Sequence, residues 1–213
     1  MLVITAWHLP SGTAYSFPTE RGLFLRERRA GLYPTSAFYL ARIIVDIPAN
    51  VFSGILMGLI AYPMCNLRCE FHQFLLIIVS GILIGGAVLQ TIGAMSHSVA
   101  DATIYVSLVM IAFMLVGSGF VRETLVYLEW VRAISPVAIL TDMAMFLEFQ
   151  DVPSKLGSSD EIFDHCGVLV TDDEQFWAAA WSLLYIYLGA SGLGFVFLKF
   201  LYTGRSFMED LRG

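Results

Sequence analysis

Arg42 and Asp46 stand four residues apart in the stretch LARIIVDIP. On a helix that spacing puts both side chains on one face, where opposite charges attract. An ionisable side chain held alone at bilayer depth costs about 2–3 kcal/mol or more, and pairing lowers that cost. Two readings follow: a structural ion pair with its tips turned to the interface, or a contact that works a cytoplasmic gate. On either, exchanging the two charges is expected to be tolerated better than losing one of them. Pro48, two residues on, is expected to kink the helix or to start it proper. Asp142 is the other carboxylate inside an apolar stretch, placed to cap a short helix or to face an outer vestibule.

Beyond these the reactive groups are scattered. His8, His72, His97 and His165 stand singly, without the spacing of metal ligands. The chain has no GxxxxGK[ST] phosphate loop, and no HExxH, GxSxG, CxxC or EF-hand pattern. Catalysis by this chain alone is not expected, and no cofactor or metal site is expected in it. Cys65, Cys69 and Cys166 are candidates for a disulfide. A Cys65–Cys69 bond, a Cys166 bond to a second copy, and three free thiols all stay open, because an odd count leaves at least one thiol without an intrachain partner.

The elements that position these groups follow from composition. The 213 residues are 57% hydrophobic and 14% charged, with a mean hydropathy of +0.73, against roughly a quarter charged in soluble domains. So apolar a chain is read as an integral membrane protein. Its net charge of −6 also speaks against a nucleic-acid partner. Four stretches are long and charge-free: 47–65, whose helix is expected to begin near residue 37, then 71–96, 102–121 and 175–198. Each reaches the roughly 18–20 residues needed to cross the hydrocarbon layer. Their apolar residues are continuous rather than alternating, so helices rather than barrel strands are expected. A fifth stretch, 130–149, is broken by Arg132, Pro136, Asp142 and Glu148 and reads as a re-entrant or interfacial pair of short helices.

Charge placement suggests the orientation. Arg21, Arg26, Arg28 and Arg29 precede the first span, while Lys199, Arg205 and Arg212 close the last. Basic flanks favour the cytoplasm. The loop from Arg122 to Phe176 holds three basic residues against eleven acids and then faces outward. The stretch ERGLFLRERRAGLY reads either as a face touching anionic headgroups or as a docking surface for a cytoplasmic partner. GxxxG pairs, Gly54 with Gly58 and Gly81 with Gly85, allow close helix packing.

The block Phe17-Pro18-Thr19-Glu20-Arg21, Phe24, Arg26-Glu27-Arg28, Gly31-Leu32-Tyr33, Ala37 to Ala41 and Asp46-Ile47-Pro48 resembles the signature of the G-subfamily ABC transporters, the white and multidrug half-transporter group. Phe113 to Phe120 (FMLVGSGF) is similar to the end of that family's fifth helix. Trp130, Ile134-Ser135-Pro136 and Glu148-Phe149 are similar to its re-entrant outer segment, and Trp177 to Tyr202 to its sixth helix.

The resemblance implies an all-α membrane fold: residues 1–213 as a single, incomplete ABC-2 type transmembrane domain, seen from the end of the family's second helix. Residues 1–15 are then a partial N-terminal helix, 16–36 a cytoplasmic loop, and 37–65, 71–96, 99–121 and 175–202 four complete transmembrane helices. Residues 122–174 form an extracellular loop with a re-entrant segment, and 203–213 a cytoplasmic tail. It further implies the membrane part of an ATP-driven exporter of lipid-like or amphipathic molecules, in the plasma membrane or an intracellular one. ATP and Mg then bind on a cassette domain outside this chain, and a second half-transporter completes a homo- or heterodimer in the membrane lipid. By the same resemblance Met110, Phe113, Met114 and Gly117 line the substrate path, at steps that share one helix face. Phe120 and Val121 form an apolar plug, and Glu27 and Arg28 face the cassette. Two alternatives are a non-transporting subunit that binds or regulates a full-length transporter, and a nonfunctional truncation product.

Overall fold

The computed structural model describes residues 2–117, 132, 134–149, 170 and 172–210, and among these the regular structure is entirely helical. A short helix α1 (Leu2–His8) and a 3-10 turn (Leu9–Gly12) lead into α2 (Thr13–Arg29). The break comes at Pro10, whose backbone leaves the helical region. The stretch 16–36, expected as a loop, is thus helical as far as Arg29. Its Glu, Arg and Leu content favours helix, and the chain leaves that conformation only at Gly31, with φ 72°.

α3 (Thr35–Cys65) starts after an extended Pro34 and ends where Asn66 takes the left-handed conformation. Pro48 lies inside it, which corrects the alternative in which the helix proper starts there. α4 spans Phe71–Met95. α5 (Val99–Gly117) opens with the Ser98 hydroxyl accepting the Asp101 N–H at 3.1 Å. α6 (Pro136–Phe149) opens likewise, with Pro in the first turn and Ser135 Oγ accepting the Ala138 N–H at 3.4 Å. α7 runs over Asp173–Asp210, through most of the expected tail.

Three of these helices are long and apolar enough to cross a membrane: α3, α4, and α7 over Glu174–Phe200. The fourth expected span, 99–121, is described only over the 19 residues of α5, and its end lies outside the described residues.

α4 is the hub. In its most apolar stretch 61% of the residues are buried, against 11% in α3 and 17% in α7. Around it pack α7, α3, α2, α1 and α6. Glycines set how closely they come. Gly54 and Gly58 of α3 seat Val79 and Leu75 of α4, Gly81 meets Leu140 of α6, Gly85 meets the Trp7 carbonyl of α1, and Gly93 meets the Ala14 carbonyl of α2. Both GxxxG pairs therefore serve packing within the chain. α7 is tied on by hydrogen bonds: Tyr39 Oη donates to the Ser191 carbonyl and Thr91 Oγ1 to the Ala190 carbonyl, both at 2.7 Å.

Candidate functional site

At the Thr35 end of α3, Arg42 sits between two carboxylates. Its Nη1 donates to Glu20 Oε1 of α2 at 3.1 Å, and its Nε lies 3.3 Å from Asp46 Oδ2, one turn on. The second contact is a charge contact without hydrogen-bond geometry. The spacing of Arg42 and Asp46 announced their pairing, but nothing local announced Glu20, which lies in another helix.

Glu27 and Arg28 are half-buried in the last turns of α2. Glu27 is engaged by Tyr33, whose hydroxyl donates to Glu27 Oε2. That hydrogen bond, then burial, then the Glu27 charge push the Tyr33 hydroxyl up to about 12. Tyr33 also stacks on Phe38, which tilts against Phe24 at 4.5 Å. Phe17, Phe24, Tyr39, Ala94 and Leu198 extend this into one apolar knot joining α2, α3, α4 and α7.

The face expected to line a substrate path is turned inward within this chain. Met110 is buried, and Phe113 and Met114 are half-buried. The Phe113 ring meets Trp7 of α1 edge-on, with centroids 5.7 Å apart and planes at 89°. Ile104, Leu108, Ile111 and Leu115 lie on the opposite, open side of α5. Gly117 ends the described part of α5. Phe120, Val121 and Cys166 lie outside the described residues.

At the other end of α3, the Glu148 carboxylate of α6 accepts the Arg68 N–H on both oxygens at 3.1 Å and the Cys69 N–H at 3.5 Å. The α6 helix is thereby clamped to the α3–α4 turn. Cys65 and Cys69 are free thiols, the first exposed and the second buried, so the Cys65–Cys69 bond is not formed in this structure. Burial, then the Glu148 charge and hydrogen bond, push the Cys69 thiol up to about 11. An apolar cavity of about 300 Å³ opens beside it, between Val3, Phe74, Ile77 and the α6 residues Ala144 and Met145. Asp142, expected as a cap or a vestibule carboxylate, is instead buried against Arg132, whose Nη2 donates to Oδ1 at 3.1 Å and Oδ2 at 3.2 Å. A carboxylate in that setting needs such a partner. No group of three or more His, Cys, Asp or Glu able to hold a metal ion occurs among the described residues.

Comparison with known proteins gives this architecture its place. The family model of the ABC-2 type transporter matches residues 1–149. The chain is 30% identical over 140 residues to an ABC transporter G family member 22 of Arabidopsis thaliana, covering 64% of this chain and 19% of the relative. It is 27% identical over 213 residues to an ABC transporter G family member 1 of Dictyostelium discoideum, covering 88% of this chain and 26% of the relative. An ABC multidrug transporter MDR3 of Trichophyton rubrum is 28% identical over 155 residues, 70% of this chain and 10% of the relative. The chain thus spans about a quarter or less of the length of these curated relatives. With the family model matched over most of the chain and three apolar helices long enough to span, this integral membrane protein belongs to the ABC-2 type transporter family, among relatives named as G family members.

Proposed function

We propose that this domain is the membrane-spanning part of an ATP-driven exporter that moves lipid-like or amphipathic molecules across a membrane. The observation that carries the reading is the family match over residues 1–149, which takes in the kinked α1–α2 segment and the Glu20–Arg42–Asp46 contact. ABC-2 membrane domains generally work with an ATP-binding cassette, and in this reading ATP and Mg bind there. Glu27 and Arg28, at the end of α2, face it. A second half-transporter supplies the other wall of the path. Of the face expected to line the path, the half-buried Phe113 and Met114 keep some apolar surface suited to hydrophobic cargo, while Met110 is buried behind them. The Trichophyton rubrum relative is named as a multidrug transporter, which fits cargo of that kind. The acidic loop faces the outside or the lumen.

The test is reconstitution. The chain is co-expressed with a cassette-bearing half-transporter, and ATP-dependent efflux of a fluorescent phospholipid analogue is followed from vesicles. Efflux that requires this chain supports the proposal. Efflux that survives its deletion overturns it, and co-purification without any effect on efflux points to a non-transporting regulatory subunit.

A further inference from the structure

A small cavity of mixed polar and apolar lining lies where α2, α3, α4 and α7 meet. Its walls include Thr13, Asp46, Asn50, Gln90 and Tyr187. Its volume is about 10 Å³, near the lower limit for one water molecule. Of its lining residues, Gln90 Nε2 is buried without a hydrogen-bond partner, and Asp46 Oδ2 has only the 3.3 Å charge contact with Arg42 Nε. Gln90 is only 4% exposed. A buried polar group left unpaired costs about 1–3 kcal/mol, so the Gln90 amide beside a cavity that Asp46 also lines calls for a ligand.

The chemistry of the two atoms narrows what that ligand is. The amide nitrogen can only donate, and the ionised carboxylate can only accept. A cation would share Asp46 with the Arg42 guanidinium and, with the amide as placed, leave Gln90 unpaired. An anion answers Gln90 and meets the Asp46 charge. A water oxygen accepts from Gln90 while one of its protons goes to Asp46, and Asn50 and Thr13 offer further partners. We propose that this cavity is a binding site for a single water molecule, held between Asp46 of α3 and Gln90 of α4. Gln90 is then a positioning residue. The water extends the Glu20–Arg42–Asp46 contact, so that a continuous polar path runs from α2 through α3 to the central helix. The site does not depend on which cargo the transporter moves.

The test is radiolytic hydroxyl labelling of the full chain in detergent micelles, where X-rays split bound water and oxidise the side chains beside it. Leu83 and Tyr187, both on the cavity wall, are expected to be oxidised in the wild type. Gln90→Met keeps the side-chain length and removes the donor, and is expected to lose that labelling while exposed His72 labels as before. Unlabelled Leu83 and Tyr187 in the wild type, or labelling unchanged in Gln90→Met, overturns the proposal. Should Gln90→Met misfold, seen as increased labelling throughout the chain, Gln90→Leu, which also removes the donor, is compared with the wild type in its place. A second arm compares thermal unfolding in sodium and in N-methylglucamine. Equal midpoints support water. A sodium-dependent rise overturns it in favour of a cation, with the Gln90 amide reversed to present its oxygen.

Discussion

Trp7 and Phe113 meet edge to face across the bundle, one from the short N-terminal helix and one from the last turns of α5. The contact joins a segment that precedes the Pro10 kink to the helix on which the cargo face was expected. Edge-on aromatic pairs contribute about 0.5–1.5 kcal/mol beyond area burial. In the proposed exporter Phe113→Ala is therefore expected to act twice: it alters substrate preference, measured as efflux ratios between two cargoes, and it lowers stability by about 1–2 kcal/mol. Trp7→Phe, which keeps an aromatic edge, is expected to preserve most of that stability. A change in abundance with constant efflux ratios assigns Phe113 to packing alone.

The Arg42 network makes a prediction that runs against the local spacing. Considered as an i,i+4 pair, Arg42 and Asp46 tolerate exchange of their charges. Glu20, 3.1 Å from Arg42, changes the outcome, because the double change Arg42→Asp with Asp46→Arg places a carboxylate against Glu20. The exchange is expected to destabilise the chain at least as much as Arg42→Ala, and adding Glu20→Gln is expected to restore part of the loss. Thermal unfolding of the purified variants measures this. An exchange as stable as the wild type shows that the Glu20 contact has no weight.

Cys65 and Cys69 are expected to differ in reactivity. Cys65 is exposed and Cys69 is buried with its thiol pushed up to about 11. A raised thiol pKa means less thiolate at a given pH, and the thiolate is the nucleophile. Relative to an ordinary thiol of pKa 9.0, the thiolate fraction of Cys69 at pH 9 is about fiftyfold lower, before any steric shielding. Alkylation followed by peptide mass analysis is expected to modify Cys65 first, with Cys69 reacting only as the pH approaches 11. The folded-state pKa is raised, so this group contributes stability that is complete below about pH 9 and is lost as the pH rises towards 11.

Glu148 is expected to control both the clamp and the thiol. Glu148→Gln removes a charged acceptor from the Arg68 and Cys69 N–H groups and is expected to cost about 1 kcal/mol. It also removes the charge that helps to raise the Cys69 thiol, so Cys69 alkylation is expected to shift to lower pH in this variant. An unchanged pH profile leaves burial as the whole cause.

The glycines divide by what surrounds them. A Cβ at Gly85 meets the Trp7 carbonyl at 2.8 Å, and one at Gly93 meets the Ala14 carbonyl, whereas Gly189 and Gly192 have nothing within 4 Å. Gly85→Ala and Gly93→Ala are expected to force α1 and α2 off the central helix and lower the unfolding midpoint. Gly192→Ala is expected to leave it unchanged.

Several features were legible in the residues themselves. The continuous apolar runs announced α3, α4 and α7, whereas Asp142 and Glu148, expected to break the stretch 130–149, lie inside the single helix α6. Others were not. The α2 helix was hidden because its charges looked like a solvated loop, yet Phe17 and Phe24 lie buried on its inner side. The pairing of Asp142 with Arg132 across ten residues has no periodic signature. Gln90 is one polar residue in an apolar run, and only tertiary packing places it on the wall of one cavity with Asp46.

The amino-acid sequence by itself determined the solvent and the element type. Hydrocarbon offers the backbone no hydrogen-bond partner, so charge-free runs of that length become helices whatever their neighbours. Tertiary structure alone decided which helix is central, which carboxylates share Arg42, and which way the Phe113 face turns. Those depend on how closely backbones approach at Gly85 and Gly93 and on charges brought together from separate helices, and contacts between distant residues leave no local spacing to read.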